Sequence, residues 1–294
     1  MIGKIFRRYE EFIPDFQDFL EALRESPPFS IRVNTIKSSF EKLSDRFDEY
    51  GINYEPVEWY RDAMITEERV THTLEYYLGD FYVQELASMV PPLILNPDEN
   101  SFVLDMCAAP GSKTTQIAQM MNNRGHIVAN DIEMERVKIL RSNVKQMGCL
   151  NVTITKRDGR KIRGENIFDF VLLDAPCSGE GRHWKFNPLG WSESKIKSLS
   201  KLQSSLLENA IRLVKEGGVV VYSTCTYAPE ENEAVLSRFL DRVKILGVKS
   251  PVRALPGITE WRGEFYGEEM KKAIRLFPHI SGTGGFFIAK LQKA

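Results

Sequence analysis

Features that mark several other protein classes are missing from this sequence of 294 residues. Its four cysteines, at positions 107, 149, 177 and 225, form no C-x-x-C pair, and no histidine spacing typical of a zinc site accompanies them. There is no signal peptide and no apolar run long enough to span a bilayer. We therefore expect a cytoplasmic protein with no metal and no membrane attachment, whose thiols serve in packing or in chemistry.

An excess of one charge is also missing, since the formal net charge is -1. This argues against a uniformly basic nucleic-acid-binding surface. The charges are nevertheless unevenly distributed: residues 136–164 contain nine Lys or Arg and one acid, and residues 182–201 contain five and one. Residues 1–72, in contrast, contain ten basic and fifteen acidic residues. If the protein binds a polyanion, we expect these two later basic runs to contact it.

The glycine-rich phosphate-binding patterns G-x-x-x-x-G-K-[ST] and G-x-G-x-x-G do not occur. Residues 101–115, Ser-Phe-Val-Leu-Asp-Met-Cys-Ala-Ala-Pro-Gly-Ser-Lys-Thr-Thr, nevertheless predict a buried strand, a tight turn and a helix. Ligands of open α/β sheets bind beyond the carboxyl ends of strands, where glycine lets the backbone approach them. Asp105 at the strand end would repel a pyrophosphate. An adenosine compound without phosphates fits better, and S-adenosylmethionine is the common one; a strand–helix turn without a ligand is the alternative.

Strands and helices alternate regularly through the rest of the chain. We predict strands at 126–131, 151–157, 168–174, 219–223 and 285–291, and helices at 114–121, 134–147 and 195–214. Such alternation predicts an α/β fold with a mostly parallel, doubly wound sheet.

The first part of the chain is expected to form a separate small lobe. Phenylalanines and leucines at helical spacing predict an amphipathic helix within residues 1–26. A strand at 29–36, a helix at 39–50 and an extended segment at 53–64 then predict a βαβ-like unit.

Four aspartates, Asp105, Asp131, Asp158 and Asp174, come at or just after the ends of predicted strands. Since function gathers at the carboxyl ends of strands, we expect them at one edge of the sheet. Asp131 would accept bonds from both ribose hydroxyls, with Arg136 bracing it, and Asp158 would accept a bond from the adenine amino group. Each aspartate alone is equally well explained as a turn or helix cap, but four together favour a ligand site.

Two cysteines follow neighbouring predicted strands. Cys177 lies in Asp-Ala-Pro-Cys-Ser-Gly-Glu-Gly (174–181) and Cys225 in Tyr-Ser-Thr-Cys-Thr-Tyr (222–227). Enzymes that methylate exocyclic amines usually carry an aromatic ring at the position of Cys177, so here a nucleophile replaces the ring. Either thiol alone would be explained as a small core hydrophobe, but adjacent strand ends should bring both into one cleft.

A thiol is useful to a methyltransferase when the acceptor atom is a poor nucleophile, such as carbon 5 of a pyrimidine. Thiolate addition to carbon 6 makes carbon 5 able to attack the sulfonium methyl group. Asp174, protonated or sharing a proton, would offset negative charge near nitrogen 3 and bind the carbon 4 amino group, which favours cytosine. Lys113 is a second candidate for holding the site. From the residues alone, either cysteine is a candidate nucleophile.

Five motifs are long, ordered and specific. They are Asp-Met-Cys-Ala-Ala-Pro-Gly-Ser-Lys-Thr (105–114), Asp-Ala-Pro-Cys-Ser-Gly (174–179), Ser-Thr-Cys-Thr-Tyr (223–227), Pro-Glu-Glu-Asn-Glu (229–233) and Phe-Pro-His (277–279). Together they resemble the Nop/Sun (NSUN, RsmB/RsmF-like) RNA 5-methylcytosine methyltransferases, and the likeness extends from about Phe29 to the C-terminus. The resemblance implies a Rossmann-like class I S-adenosylmethionine-dependent methyltransferase domain at 76–294 and a small α+β, RNA-recognition-like lobe at 1–75. The chain lacks room for the PUA-like domain that some members append.

The resemblance also implies roles for individual residues. Cys225, in the Thr-Cys motif, matches the family's nucleophile, and Cys177, in the Pro-Cys motif, matches the thiol that assists product release. Spacing alone leaves this choice open, because DNA cytosine-5 enzymes attack with the cysteine of a Pro-Cys motif. The family's donor-binding positions match Cys107, Ala108, Ala109, Pro110, Gly111, Ser112, Lys113, Asp131, Arg136, Asp158 and Asp174.

We therefore expect a monomeric RNA cytosine-C5 methyltransferase that acts on structured tRNA or rRNA with its target base flipped out of the stack. His183, Trp184 and Lys185, in the loop after Cys177, would contact the RNA, unless Trp184 is simply a packed lid. A catalytically silent RNA-binding or ribosome-assembly factor is the alternative. It would have lost a thiol or a donor-site acid, whereas this chain keeps them all. DNA methylation is disfavoured because no target-recognition domain separates the late motifs.

Overall fold

The computed structural model of the protein describes residues 2–294, which form a nine-stranded sheet, a four-stranded sheet and a two-stranded hairpin with helices around them. The helices are Ile2–Phe6 (α1), Phe16–Ala22 (α2), Phe40–Tyr50 (α3), Leu74–Leu78 (α4), Leu86–Leu95 (α5), Ser112–Met120 (α6), Met134–Gln146 (α7), Glu193–Leu213 (α8), Glu233–Leu236 (α9) and Pro278–Ser281 (α10). The strands are Phe29–Val33 (β1), Tyr54–Pro56 (β2), Ala63–Thr66 (β3), Phe81–Val83 (β4), Phe102–Asp105 (β5), His126–Asp131 (β6), Val152–Lys156 (β7), Phe168–Asp174 (β8), Val214–Thr224 (β9), Val243–Leu246 (β10), Leu255–Pro256 (β11), Glu260–Trp261 (β12), Glu264–Phe265 (β13), Ile274–Leu276 (β14) and Phe286–Lys293 (β15).

The large sheet has the strand order β11-β14-β15-β9-β8-β5-β6-β7, with β10 paired to β15. Strands β5 to β9 are parallel to one another, as the alternation of strands and helices predicts. The remaining strands of the sheet run antiparallel to their neighbours. The predicted parallel α/β sheet is therefore confirmed, and an antiparallel part, of which only the last strand was predicted, extends it.

Both faces of the large sheet are covered, which explains the nearly continuous apolar runs of its central strands. On β8, Val171 and Leu173 point into one core together with residues of α8, while Leu172 points into a second core with residues of α5, α6 and α7. This alternation is the period-2 pattern of a strand buried on both sides. Among the helices within residues 2–294, none combines the length and apolar character needed to cross a membrane.

The pairing of β8 with β9 positions the candidate site. The two strands are parallel, and Asp174 at the end of β8 lies opposite Ser223 near the end of β9. The segments that carry Cys177 and Cys225 therefore leave the sheet side by side at its carboxyl edge. Asp105 and Asp131 end β5 and β6 at the same edge.

The N-terminal sheet has the order β2-β3-β1-β4, and its neighbouring strands are antiparallel. Along the chain the elements run β1-α3-β2-β3-α4-β4, which is the split βαβ arrangement. Helix α3 begins where the Ser39 hydroxyl accepts a bond from the Lys42 amide and ends at Gly51, whose φ of 67° suits glycine. The predicted βαβ-like unit is thus present, with β4 as an additional strand.

Two expectations for the N-terminal region differ from the structure. The single helix predicted within residues 1–26 is wrong: α1 and α2 are separate, because Pro14 lacks an amide hydrogen and disfavours helical backbone at the preceding residue. The expected division between residues 75 and 76 does not match the sheet either, since β4 lies beyond it and pairs with β1.

Residues 2–23 pack against the large sheet's side of the molecule. Phe19 is fully buried, with its ring centroid 5.3 Å from that of Tyr227 and 6.2 Å from that of Phe277, both in edge-on geometry. Phe6 lies 5.8 Å from the same Tyr227 ring. Such aromatic pairs add stability beyond the apolar area they bury. The N-terminal segment is therefore part of the core beneath the residues that follow Cys225.

We predict that Phe19→Ala lowers the free energy of unfolding by about 3–5 kcal/mol, because it removes a buried ring and leaves a cavity. Urea denaturation followed by circular dichroism measures this. Phe265→Ala is a matched control, since Phe265 is 63% exposed, and it should change stability by no more than about 0.5 kcal/mol. Equal effects of the two substitutions would contradict the packing described for the N-terminal segment.

Candidate active site

The two predicted catalytic thiols lie together. The Sγ atoms of Cys177 and Cys225 are 3.2 Å apart, within hydrogen-bonding distance for sulfur, and both residues are partly exposed at the carboxyl edge of the sheet. The next residues are joined as well, since the hydroxyls of Ser178 and Thr226 are 2.7 Å apart. The sequence predicts one cleft for both thiols, and in the structure the two sulfur atoms are in direct contact.

The hydrogen bond between the two thiols makes their pKa values unequal, although burial and the charge of Asp174 raise both. The hydrogen bond from Cys177 lowers the pKa of Cys225, and the charges of Arg182 and Lys113 act in the same direction. The pKa of Cys177 is raised by that same hydrogen bond, by burial and by the carboxylate of Glu231. We therefore assign Cys177 as the donor and the Cys225 sulfur as the acceptor. Because the thiolate is the reactive form of cysteine, Cys225 is the better nucleophile of the pair.

The loop after Cys177 is fixed to the strand that carries Cys225. The Gly181 amide donates to the Cys225 carbonyl at 2.9 Å, and the Gly285 amide donates to the Gly181 carbonyl at 2.9 Å. A Cβ atom at Gly181 would lie 2.1 Å from the Gly285 carbonyl oxygen, so only glycine permits this approach. The backbone itself thus sets the spacing between the two thiol-bearing segments.

Glu180 is a buried carboxylate with donors from several parts of the chain. It accepts bonds from the Tyr9 hydroxyl at 2.8 Å, the Trp191 Nε1 at 2.6 Å and the Thr226 hydroxyl at 2.9 Å. The amide of Tyr227 also donates to it at 3.2 Å. Burial raises the pKa of Glu180, and these donors oppose that rise. Glu180 thereby ties the Cys177 loop to the residue after Cys225 and to the N-terminal segment.

Glu231 holds the Cys177 loop from its other side. Its carboxylate accepts bonds from the Ser178 amide at 3.0 Å and from the Gln203 side chain at 2.8 Å. It is fully buried, and burial raises its pKa to about 7. A carboxylate next to Cys177 opposes ionisation of that thiol, which is consistent with the donor role assigned to it.

Lys113 and Asp174 form an ion pair at the base of the site. The Lys113 Nζ lies 2.7 Å from the Asp174 Oδ2 and 3.0 Å from the Ser88 hydroxyl. The Ser223 hydroxyl donates to the other Asp174 oxygen at 2.8 Å. Asp174 therefore accepts hydrogen bonds from Lys113 and Ser223, one on each carboxylate oxygen. Ser88 and Ser223 were not among the predicted residues.

The loop at residues 107–113 lies beside Asp131. The Ala109 amide donates to the Asp131 carboxylate at 3.2 Å, and Arg136 lies 3.1 Å from it and also donates to the Ala109 carbonyl. Arg136 thus braces Asp131 as expected from the sequence. Gly111 has a φ of 110° and immediately precedes α6, so the loop turns where only glycine is comfortable. The backbone of the loop at residues 107–113 and the Asp131 carboxylate thus form a preformed site at the ends of β5 and β6, the donor cradle.

Asp105 contributes a buried acid to this cradle. One oxygen accepts a bond from the Thr114 hydroxyl at 2.6 Å, whereas Oδ1 has no partner within residues 2–294. Burial, reinforced by the charge of Asp174, raises the pKa of Asp105 to about 7. A buried carboxylate oxygen without a donor is costly, so this atom is suited to a ligand that brings one.

Asp158 and Cys107, which were also predicted to bind the donor, have surroundings that differ from those of Asp131 and Asp105. Both oxygens of Asp158 face the Arg160 side chain, at 2.9 and 2.7 Å, and Asp158 also accepts the Arg160 amide at 3.0 Å. Its contacts are those of a turn cap, the alternative considered for each aspartate. Cys107 is partly exposed, and burial together with the nearby carboxylates raises its pKa, so it is a poor nucleophile. Within residues 2–294, no group of three or more His, Cys, Asp or Glu side chains could hold a metal ion.

Of His183, Trp184 and Lys185, the residues after Cys177 that were expected to contact RNA, one is an exposed cation and two are packed rings. His183 is 6% exposed, and its Nε2 lies 2.7 Å from the Glu25 carbonyl, so it is held within the protein. Trp184 contacts the backbone at Gly284, as the packed-lid alternative predicts. Lys185 is exposed. Of the three residues expected to contact RNA, Lys185 is therefore the one whose side chain is presented to solvent.

Sequence reasoning missed Glu180 and Glu231 as parts of the site. The sequence contained a signal for each of them, because both acids lie within motifs that follow strands. These motifs are Cys-Ser-Gly-Glu (177–180) and Pro-Glu-Glu-Asn-Glu (229–233). What spacing could not show is that they are buried and bind the thiol loop. Charged residues are almost never fully buried unless they are paired.

Comparisons with known proteins agree with these observations. A model of the family described as 16S rRNA methyltransferase RsmB/F matches residues 92–292. A model of the N-terminal domain of 16S rRNA methyltransferase RsmF matches residues 4–86. A tRNA (cytosine(49)-C(5))-methyltransferase from Pyrococcus abyssi is 40% identical over 300 residues, covering 99% of this chain and 96% of its own. Ribosomal RNA small subunit methyltransferase F of Vibrio parahaemolyticus is 38% identical over 95% of this chain, which spans only 60% of that relative.

Solved structures match over nearly the whole chain. A methyltransferase homologue from Pyrococcus horikoshii superposes with a TM-score of 0.88 at 37% identity, covering 98% of this chain and 94% of the other. NSun6 from Pyrococcus horikoshii, solved with SFG, superposes with a TM-score of 0.82 at 25% identity over 94% of each chain. These matches confirm the Rossmann-like class I methyltransferase fold with its small N-terminal lobe.

The thiol pair predicts how alkylation of Cys225 depends on pH. Cys177→Ala removes the hydrogen bond to the Cys225 thiolate and should raise the midpoint of its alkylation profile, since that hydrogen bond favours the charged form and lowers the pKa of Cys225. Iodoacetamide labelling between pH 6 and 10, with peptide mapping by mass spectrometry, gives the midpoint. Cys149→Ala, at a buried thiol elsewhere, should leave it unchanged. An unchanged or lower midpoint in Cys177→Ala would mean that Cys177 is not the donor.

Asp105 predicts a pH-dependent stability difference. Its pKa is raised on folding, so the folded state keeps the proton longer than the unfolded state as pH rises. The stability of the wild-type protein relative to Asp105→Asn should therefore be greatest below about pH 4 and fall as pH rises through about 7. Thermal unfolding of both proteins at intervals from pH 5 to 8 measures the difference. Parallel profiles would show that Asp105 ionises as readily in the folded protein as in the unfolded chain.

Proposed function

Since the chain belongs to the 16S rRNA methyltransferase RsmB/F family, we propose that it methylates carbon 5 of a cytosine in RNA, with S-adenosylmethionine as donor. The observation that carries this proposal is the contact between the Cys177 and Cys225 thiols at the sheet edge that also holds the donor cradle. Methylation of a ring nitrogen, an oxygen or an exocyclic amine has no need of such a pair. A pyrimidine carbon does, because it becomes nucleophilic only while a thiolate is attached to the ring.

The donor would be held by the loop at residues 107–113, Asp131 and Asp105. Asp131, fixed by Arg136 and the Ala109 amide, would accept the ribose hydroxyls, as at the corresponding position of dinucleotide-binding folds. The unpaired Oδ1 of Asp105 suits a positively charged or N–H-bearing part of the same ligand. When bound, S-adenosylmethionine supplies an electrophilic methyl group. Support comes from the relative NSun6, solved with SFG, an analogue of this donor.

Asp158 would join this site only after giving up a contact. An adenine amino group would have to compete with Arg160 for its oxygens. Asp158 is partly exposed and lies after the strand next to β6, so a swing of the Arg160 side chain would suffice. We therefore retain Asp158 as a proposed adenine contact.

Cys225 would act as the nucleophile and Cys177 as its partner. The Cys225 Sγ adds to carbon 6 of the cytosine, which raises electron density at carbon 5 and lets that carbon bond to the methyl group as the methyl–sulfur bond of the donor breaks and the electron pair stays on the donor sulfur. The proton on carbon 5 then passes to water, the Sγ–carbon 6 bond breaks, and the ring recovers its double bond with the Cys225 thiolate as leaving group. The Cys177 thiol, 3.2 Å away, stabilises that thiolate and so assists its departure.

Lys113 and Asp174 would recognise the base. Asp174 accepts the carbon 4 amino group, which uracil lacks. The proton shared between Asp174 and Lys113 lies where negative charge develops near nitrogen 3 during thiolate addition. Ser223 and Ser88 position this pair through their own hydrogen bonds. Selection of cytosine thus rests on the same ion pair that stabilises the covalent adduct.

We propose tRNA as the first substrate to test. The relative named for tRNA matches this chain over almost the full length of both proteins, whereas the relatives named for ribosomal RNA extend well beyond the matched part. The target cytosine must be flipped out of any stack, because carbon 6 is not reachable within a helix. We further propose that the split βαβ unit of β1 to β4 serves as the RNA-recognition-like lobe, with its boundary after β4, and that the remainder is the catalytic part, acting as a cytoplasmic monomer.

The test is methylation of unmodified tRNA transcripts, small-subunit rRNA and a DNA duplex with labelled donor, followed by denaturing gels that reveal covalent protein–RNA adducts. We predict that the wild-type protein labels RNA and not DNA. Cys225→Ala should lose methylation by at least about 10³-fold and form no adduct, because the nucleophile is absent. Cys177→Ala should accumulate adduct, because the thiolate leaves more slowly.

Cys149→Ala is the matched control for these two variants and should behave as wild type. An adduct in Cys225→Ala but none in Cys177→Ala would reverse the assigned roles. Binding of the donor with no methyl transfer to any of the RNAs would instead favour the catalytically silent RNA-binding factor. Bisulfite sequencing of the labelled RNA then identifies the cytosine.

A further inference from the structure

A cavity of about 290 Å³ lies beside the thiols, between the loop after Cys177 and the start of α8. It shares a wall with the active site. Ser178, the residue after Cys177, lines the cavity, and its hydroxyl is 2.7 Å from that of the buried Thr226, the residue after Cys225. A ligand in the cavity would therefore lie next to a base held at the thiols.

The charge of the cavity is entirely positive. Arg182, Lys185 and Lys195 line it, all three side chains are exposed, and none of its lining residues is acidic within the part of the chain described. Glu193, the acid in this basic run, faces away toward Arg8 and Arg262, at 3.8 and 3.7 Å. Three cations with no counter-charge in one concave site suit an anion with several oxygens.

The rest of the lining is rigid and partly apolar. Phe186 packs on Phe6 with ring centroids 5.5 Å apart, and Trp191 is fixed through its Nε1 by the buried Glu180. Asn187 and Ser192 add polar groups, but each already binds an amide of its own turn. Small-molecule sites usually measure about 300–1,000 Å³, so a cavity at the lower end of that range suits one nucleotide rather than a longer segment.

We propose that this cavity holds the nucleotide adjacent to the target cytosine, with its phosphate bound by Arg182, Lys185 and Lys195 and its sugar and base against Phe186 and Trp191. The proposal rests on the proposed function, because it assumes an RNA whose cytosine lies at the thiols. Phosphate contacts fix the register of a nucleic acid without reading its sequence. The cavity would thus set which base along the strand is presented to Cys225.

Phosphate binding in this cavity would explain why the basic run at residues 182–201 lies beside the two thiols. Arg182 also lowers the pKa of Cys225 by its charge, whereas Lys185 and Lys195 line the cavity and are not among the charges that act on that thiol. Removing the two lysines therefore tests phosphate binding without removing a charge that acts on the thiol. Lys197 is a matched control: it is exposed on the same helix, two residues from Lys195, but does not line the cavity.

The experiment compares wild type, Lys185→Ala/Lys195→Ala and Lys197→Ala on the RNA that wild type methylates. Fluorescence anisotropy gives the RNA Kd, and steady-state assays give kcat and KM over a range of salt concentrations. We expect the double variant to raise Kd and KM about tenfold with kcat nearly unchanged, and to reduce the salt slope by at most about 1, because the two lysines contact a single phosphate. Its donor affinity and melting temperature should equal those of wild type.

A second arm tests the phosphate itself. Oligonucleotide substrates carry an uncharged methylphosphonate on the 5′ or the 3′ side of the target cytosine. One of the two should weaken binding to wild type and to Lys197→Ala, but should weaken binding to the double variant much less, because only Arg182 remains there to contact the phosphate. Unchanged KM and salt slope in the double variant, or equal losses in all three proteins for both substitutions, would overturn the proposal. A wild-type protein that methylates no RNA would instead refute the proposed function, and this is visible before any variant is compared.

Discussion

The parallel pairing of β8 with β9 is the constraint on which the site depends. Asp174 faces Ser223 across these strands, so the segments that follow them leave the same edge a few residues apart and meet at the two sulfur atoms. A register shift by one residue would turn the side chains of one strand to the opposite face and separate the thiols. The apolar alternation along β8, with neighbouring side chains buried in different cores, holds this register.

Buried acids surround the thiol pair. Glu231 lies beside Cys177 and Glu180 fixes the loop between them, while Arg182 and Lys113 act on Cys225. The hydrogen bond between the thiols is the main cause of their asymmetry, since it raises the pKa of Cys177 and lowers that of Cys225, whereas the charge of Asp174 raises both. In the reaction that we propose, Cys225 is therefore the nucleophile. Electrostatic positioning of this kind costs no reorganisation during the reaction.

Periodicity and strand ends predicted the parallel part of the fold well, because the central strands β5, β6, β8 and β9 place side chains in the cores on both faces of the sheet and their sequences are correspondingly apolar. Five strands between residues 243 and 276 escaped notice because they are two to four residues long, too short for any period to develop. The single N-terminal helix failed at Pro14. In the site, the meeting of the thiols followed from topology, whereas the Arg160 contacts of Asp158 and the burial of Glu180 depend on side-chain packing that spacing does not contain. The individual roles of the thiols stay predictions.

The last strand, β15, lies between β9 and β14 in the interior of the large sheet, and Tyr9 from the opposite end of the chain binds the loop that carries Cys177. The catalytic edge is thus assembled from segments that lie far apart in the sequence. Contacts so distant in sequence form late in folding. A nascent chain that has not yet reached β15 therefore lacks one of the two strands that flank β9, and its reaction centre is unfinished.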